Sequence, residues 1–218
     1  MLTIEKVDYS HLIGDPSLRD GVGEFRMKVT YPGGKKPYVR FTNREFRDHR
    51  ISLAQTPTRP RSFVIGAFKA FFDQKLKQLP EEYKALIEAV HQALNDLEID
   101  TYSCFQREKY GKRRMRSRHA TILDGLALRQ SDFLTMLPGA SVSRGTWKEI
   151  TYATQNGTDL ICLFREANPE LEFRQRIMES AVVHGGGSML TFITFGNYEE
   201  IGLGLAITTA SIRERIAQ

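Results

Sequence analysis

The sequence has few of the features that mark secreted or membrane proteins. Its 218 residues include only two cysteines, Cys104 and Cys162, both within apolar runs, which excludes a disulfide framework and favours a reducing compartment. No apolar run approaches the roughly 20 residues that a membrane helix needs. Residues 1–11 carry an early acid and lack the apolar core of a signal peptide. We therefore expect a cytoplasmic protein with no membrane partner.

The composition is that of an ordinary globular protein, with 41% hydrophobic and 26% charged residues. The formal net charge of +5 allows three interpretations, namely a nucleic-acid partner, a phosphorylated small molecule or a solvated surface. Cysteine and histidine do not occur at the spacings typical of metal sites. We expect neither a metal nor a cofactor.

The first part of the chain differs in pattern from the rest. Residues 24–31 alternate apolar and polar side chains, and residues 37–41 resume the alternation after a Pro-Gly-Gly turn, which predicts a β-hairpin. A polar, proline-containing stretch follows and is typical of a linker. We predict an N-terminal β-hairpin extension with its linker over residues 1–58 and a main domain over residues 59–218.

In the main domain, short apolar strands alternate with segments of helical periodicity. We predict five strands at residues 63–66, 99–105, 133–137, 160–164 and 190–195, and helices opening after Pro80 and at residues 121–129, 147–155 and from about 199 onward. This alternation favours right-handed crossovers and an α/β fold, an open parallel five-stranded sheet with flanking helices of the flavodoxin or Rossmann kind. Ligands of such sheets bind at the carboxyl ends of the strands.

The loop after the third strand carries the most informative residues. Ser143, Gly145 and Thr146 form a small polar loop that opens a helix, and Glu149 lies about one turn inside it. Backbone N–H groups at a helix N-terminus suit an anion such as phosphate. Asp124, on the preceding helix, would converge on the same crevice, and two acids on different elements suit glycosidic chemistry. From spacing alone, a capped helix with surface acids is the alternative.

The same segment resembles the signature of the nucleoside 2-deoxyribosyltransferase-like superfamily. That signature has an aspartate eight residues before a second aspartate and a strand, then S-x-G-T-x-x-E-[IL]-x-x-A, a glycine and an apolar strand. Here Asp124 precedes Asp132 by eight residues, residues 143–153 read SRGTWKEITYA, and Gly157 precedes the strand at residues 160–164.

Within the superfamily, the chain is most similar to the CMP and hydroxymethyl-CMP N-glycosidases, the nucleotide hydrolases of nucleoside-antibiotic biosynthesis. The match extends to residues 66–69 (GAFK) and to residues 107–111 (REKYG), where the family has R-E-x-aromatic-G. The family's Gly-Pro before the aromatic is Gly66-Ala67 here, which puts the shape of the base pocket in doubt. The resemblance covers about residues 61–217 and leaves the N-terminal hairpin unaccounted for.

The resemblance implies an enzyme that hydrolyses the base–ribose bond of a nucleoside 5′-monophosphate, CMP or a modified CMP, to free base and ribose 5-phosphate. Glu149 would be the nucleophile at C1′, and Asp124 the partner acid for the base or the water. It also implies a homodimer with the active site near the subunit interface. The positions implied to bind substrate are Phe63, Gly66, Phe68, Lys69, Arg107, Tyr110, Ser143, Arg144, Gly145 and Thr146.

Several other functions are compatible with the sequence. One is a nucleoside 2-deoxyribosyltransferase or a 2′-deoxynucleoside 5′-phosphate N-hydrolase, and another is a TIR-like NAD-cleaving hydrolase. A non-enzymatic nucleotide- or RNA-binding module could be built on the basic run at residues 112–119, although a solvated loop explains this run better. Because this excess charge lies in one loop beside the expected phosphate site, a small nucleotide substrate explains it better than a nucleic acid.

Overall fold

The computed structural model describes the N-terminal strand and most of the main domain. The predicted hairpin at residues 24–41 lies outside the described residues, as does most of the predicted linker. The described residues are 1–7, 59–66, 78–113, 120, 123–125, 127–128, 130–137, 144–166, 174–175, 177–178 and 189–216, with the backbone alone for 144, 215 and 216.

The described residues form six strands in one sheet. In chain order they are β1 (Thr3–Val7), β2 (Arg61–Ile65), β3 (Asp100–Ser103), β4 (Phe133–Met136), β5 (Asp159–Arg165) and β6 (Leu190–Phe195). The order across the sheet is β1-β6-β5-β4-β2-β3, and β2 to β6 run parallel to one another. The predicted five-stranded parallel sheet of an α/β fold is confirmed.

The edge strand β1 was not predicted from the sequence. It runs antiparallel to β6, in a register that pairs Thr3 with Thr194 and Val7 with Leu190. Its apolar Ile4 packs against the core beneath the sheet, while Glu5 accepts a hydrogen bond from Arg174. A five-residue strand that is half polar gives a weak signal by itself, because its stability comes from pairing with β6.

Helices cover both faces of the sheet. Helix α1 (Glu81–Asp96) follows Pro80 as predicted, α2 (Cys104–Arg107) is a single turn, α3 (Arg144–Gln155) follows β4 and α4 (Tyr198–Ile216) ends the described chain. Helices α1 and α4 pack on one face, and α3 packs on the other. Further helical residues lie at 123–125 and 127–128. None of the described helices is long and apolar enough to cross a bilayer.

The chain departs from the predictions at the starts of α2 and α3. The predicted strand at residues 99–105 ends at Ser103, because the Ser103 hydroxyl accepts a hydrogen bond from the backbone N–H of Gln106 at 3.3 Å and so begins α2. Helix α3 begins at Arg144 rather than Trp147, so Gly145 and Thr146 belong to its first turn.

The strand order fixes where a ligand can bind. Numbered by chain order among the parallel strands, the sheet reads 2-1-3-4-5, and the direction of progress reverses between β2 and β4. In open α/β sheets the crevice at such a reversal, outside the carboxyl ends of the strands, is where ligands bind. Here that crevice lies beyond Ile65 and Met136, where α3 begins.

We expect Gly66→Ala to lower the free energy of unfolding by about 1–3 kcal/mol, since overpacking a tight site is costly. A Cβ at Gly66 would lie 2.9 Å from the Tyr83 hydroxyl oxygen, 3.1 Å from Cζ of Phe105 and 3.2 Å from Cβ of Leu137. Gly125→Ala is the control, because nothing lies within 4 Å of its added Cβ. Urea denaturation measures both variants, and equal midpoints would contradict the packing at Gly66.

Candidate active site

The first turn of α3 is anchored to the carboxyl end of β2. The buried Thr146 donates a hydrogen bond from its hydroxyl to the carbonyl oxygen of Gly66, at 3.1 Å. Gly145 beside it is exposed, and the N–H groups of a first helical turn have no partner within the helix. The structure therefore brings Gly66, Gly145 and Thr146 together at the crevice, in a geometry suited to an anion.

Glu149 is placed by the periodicity of α3. It follows Thr146 by three residues and precedes Ala153 by four, and both of these residues are buried on the side of α3 that faces the sheet. Side chains three and four residues apart share a helix face. The half-buried carboxyl of Glu149 therefore lies on the same side of α3 as Thr146, one turn further into the helix.

Arg107 of α2 is the cation of the site, and its side chain is only 1% exposed. It donates through Nη1 to Oδ1 of Asp124 and through Nη2 to Oδ2 at 3.5 Å. It also donates to the hydroxyl of Tyr102 and, at 3.2 Å, to Oε1 of Glu108. The two Nη groups of the guanidinium are thus occupied by protein groups, chiefly by the carboxylate of Asp124, whereas the buried Nε has no hydrogen-bond partner among the described residues.

The pKa of both candidate catalytic acids is raised, chiefly by burial. Burial is the main cause for Glu149, whose pKa lies well above the usual glutamate range; the negative charge of Asp124 raises it further, and Arg107 opposes both effects. Burial also raises the pKa of Asp124, but the charge and hydrogen bonds of Arg107 oppose this. Protonation of one acid therefore favours ionisation of the other, and the pair is suited to sharing a proton.

Three further residues belong to this cluster and were not assigned from the sequence. The Tyr102 hydroxyl accepts a hydrogen bond from Arg107, and Glu108 forms an ion pair with Arg107. Burial and the negative charge of Asp124 raise the pKa of the Cys104 thiol. All three lie on or beside α2, within or just before the REKYG motif. Their position beside that motif was the one signal that could have indicated them.

Two other predicted binding residues have different surroundings. Phe63 is 1% exposed in the core, with its ring centre 5.4 Å from that of Tyr102. Tyr110 adopts a left-handed backbone with φ of 55° and lies against α1, where Nζ of Lys84 is 5.5 Å from the centre of its ring. The structure places Tyr110 at a groove beside α1, which Lys84 and Glu88 also line, rather than in the cluster of Arg107 and Asp124.

Four predicted binding residues lie wholly or partly outside the described residues. Phe68, Lys69 and Ser143 lie outside the described residues, as does the side chain of Arg144. In the described part of the chain, no group of three or more histidine, cysteine, aspartate or glutamate side chains is arranged to hold a metal ion. The described site thus consists of two acids, one buried cation and a helix N-terminus.

We expect Arg107→Met to lower the free energy of unfolding by about 3–5 kcal/mol, because it leaves the Asp124 carboxylate partly buried without its counter-charge. Arg165→Met is a matched control, since Arg165 pairs with Glu82 at 2.6 Å between exposed side chains and should cost about 1 kcal/mol or less. Urea denaturation of both variants measures the difference. Equal losses would show that Arg107 and Asp124 are not a buried pair.

No family model matches the sequence, and comparison with curated proteins gives no match. Among solved structures, the fold is similar to the solution structure of BlsM, with a TM-score of 0.56 and 18% identity, over 75% of this chain and 97% of that chain. The CMP N-glycosidase BcmB of Clostridium botulinum is also similar, with a TM-score of 0.48 and 23% identity, over 68% of this chain and 98% of that chain.

A 2-deoxyribosyltransferase of Bacillus psychrosaccharolyticus is similar over 47% of this chain and 71% of that chain, with a TM-score of 0.35 and 17% identity. The likeness to BlsM shows that this chain shares its α/β fold.

Proposed function

We propose that this protein is a nucleoside 5′-monophosphate N-glycosidase, which hydrolyses the base–ribose bond of CMP or a modified CMP. The observation that carries the proposal is that Arg107 donates hydrogen bonds to Asp124 and that both groups interact electrostatically with Glu149. The resemblance of the sequence to N-glycosidases supports the substrate class.

The N-terminus of α3 orients the substrate by binding its phosphate. We place the 5′-phosphate at the first turn of α3, against the backbone N–H groups around Gly145 and Thr146. Glu149 lies one turn further into the helix, about 5.4 Å along its axis. A nucleotide held by its phosphate would then extend its ribose toward this carboxylate, which brings C1′ within reach of a nucleophile.

Bond cleavage proceeds in two displacements. The Glu149 carboxylate attacks C1′ and forms an ester, while the C1′–N bond breaks, its electron pair leaves with the base and Asp124 supplies a proton to that base. Water then attacks C1′, its proton returns to Asp124, and ribose 5-phosphate and free Glu149 result. The raised pKa of Asp124 supports its role as the proton donor, and a neutral Asp124 no longer opposes ionisation of Glu149.

A transferase would use the same ester. If a second base rather than water captured the glycosyl group, the product would be a new nucleoside or nucleotide and the carboxylates would keep their roles. We favour hydrolysis because the sequence matches the N-glycosidase motifs at residues 66–69 and 107–111. Adding a free base to the reaction separates the two activities.

We expect Glu149→Gln to lower kcat by roughly 10³-fold or more, because the amide cannot act as the nucleophile. The measurement is chromatography of the base released from a panel of ribo- and deoxyribonucleotides. Glu214→Gln, at an exposed position of α4, is the control and should retain full activity. The proposal is wrong if no nucleotide is cleaved and the Glu149→Gln variant binds none.

The pH dependence of kcat/KM should report the raised pKa of Glu149. Because the reaction uses a pair that holds one proton, activity should fall as the pH rises through the higher pKa of the pair, which lies above the usual glutamate range. Asp124→Asn removes a negative charge that raises the pKa of Glu149, so we expect the Glu149 carboxyl to titrate at lower pH while the rate also falls, because the proton donor is lost. Asp96→Asn, at an exposed position of α1, should leave the pKa of Glu149 in place; an unmoved pKa in Asp124→Asn would rule out the coupling.

A further inference from the structure

His91 of α1 is buried between two hydroxyl groups of β3. The residue is only 2% exposed, and its side chain faces the sheet. Nδ1 lies 2.8 Å from Oγ1 of Thr101, and Nε2 lies 2.9 Å from Oγ of Ser103. Residues two apart on a strand share a face, so the two hydroxyls flank one ring. Both ring nitrogens therefore have a hydrogen-bond partner.

The ring is neutral across the working pH range. Burial lowers the pKa of His91 to about 4, and no charged group contributes to that shift. A neutral imidazole has one donor and one acceptor nitrogen, so one hydroxyl accepts a hydrogen bond from the ring and the other donates one to it. The ring thereby fixes the orientation of the Ser103 hydroxyl without bringing a charge into the core.

The Ser103 hydroxyl has a second role at the start of α2. It accepts the hydrogen bond from the backbone N–H of Gln106 that caps this helix, at 3.3 Å. A single helical turn contains few hydrogen bonds of its own and forms poorly without external support. The position of α2 therefore depends on this cap, and α2 carries Arg107.

We propose that His91 is a positioning residue for the carboxylate pair: by fixing the Ser103 hydroxyl, it holds α2 where Arg107 meets Asp124. His91 acts through Ser103 and α2 and does not itself contact the reacting groups. The effect of His91 on turnover rests on the proposed function, whereas its effect on the charges of the site does not.

The two hydrogen bonds of His91 provide a matched pair of tests. The bond to Thr101 ends on strand β3, whereas the bond to Ser103 continues to α2. Thr101→Val removes the first bond and leaves the cap intact. Ser103→Ala removes the second bond together with the cap. Both variants take one hydrogen bond from the ring, but Ser103→Ala alone should disturb Arg107.

The titration of Glu149 is the readout, because a general loss of stability would not move it in one direction. The groups that act on this carboxyl are Asp124 from the helical residues 123–125 and Arg107 from α2, with the Cys104 thiol of α2 also in electrostatic contact. Arg107 lowers the pKa of Glu149. If α2 shifts and carries Arg107 away, this pKa must rise.

The experiment is a carboxyl ¹³C NMR titration of the full chain, with the Glu149 resonance assigned by its loss in Glu149→Gln. We expect His91→Leu and Ser103→Ala to raise the Glu149 pKa and to lower kcat by about 10–100-fold, as misplacing catalytic groups by roughly 1 Å does. Thr101→Val should change neither quantity. His91→Gln, whose side-chain amide can donate to Ser103, should recover part of both effects.

An unchanged Glu149 pKa in Ser103→Ala, or an equal shift in Thr101→Val, would overturn the proposal and leave His91 a purely structural residue. If His91→Leu does not fold, the comparison of Ser103→Ala with Thr101→Val decides alone. Because the titration needs no substrate, it stands even where no nucleotide is cleaved, so failure of the proposed function and failure of the positioning role are separable.

Discussion

The site depends on one buried charge. The Arg107 guanidinium is 1% exposed, and a charge taken out of water is tolerated only where opposite charge and hydrogen bonds replace the water. Asp124 and Glu108 supply that compensation, and Tyr102 adds a further partner. Because Arg107 also lowers the pKa of Glu149, the position of this one side chain acts on the charge state of both candidate catalytic acids.

The rest of the fold positions the first turn of α3 and Glu149 relative to that charge. The reversal of strand order between β2 and β4 opens the crevice, and the hydrogen bond from Thr146 to Gly66 fixes the first turn of α3 at its rim. Helix periodicity then places Glu149 on the inner side of α3. In the proposed reaction, the helix N-terminus holds the phosphate and the two acids exchange a proton.

The regular elements of the main domain were predictable because each has a local cause. Apolar runs indicated the parallel strands, and Pro80 followed by two glutamates marked the start of α1. Strand β1 was missed because its stability comes from pairing with β6. Helix α2 was missed because its start depends on the side chain of Ser103, which lies inside the strand that the sequence predicted as far as Phe105.

The site was predictable only in part, for a similar reason. The acids Asp124 and Glu149 occur in a motif with fixed spacing, so the sequence indicates both. The burial of Arg107 against Asp124 depends on contacts between residues 17 positions apart, and the placement of Tyr110 against α1 depends on a left-handed turn. His91 gave no signal, since a polar ring on the buried face of a helix is explained only by its partners on β3.

The stereochemistry of cleavage tests the role of Glu149 most directly. Two displacements at C1′ retain the configuration of the substrate, whereas direct attack by water inverts it. With CMP as substrate and methanol as a competing acceptor, ¹H NMR identifies the anomer of the methyl riboside 5-phosphate, which, unlike free ribose 5-phosphate, does not equilibrate between anomers. The account predicts the β anomer, and its loss in Glu149→Gln. Formation of the α anomer would contradict a covalent role for Glu149.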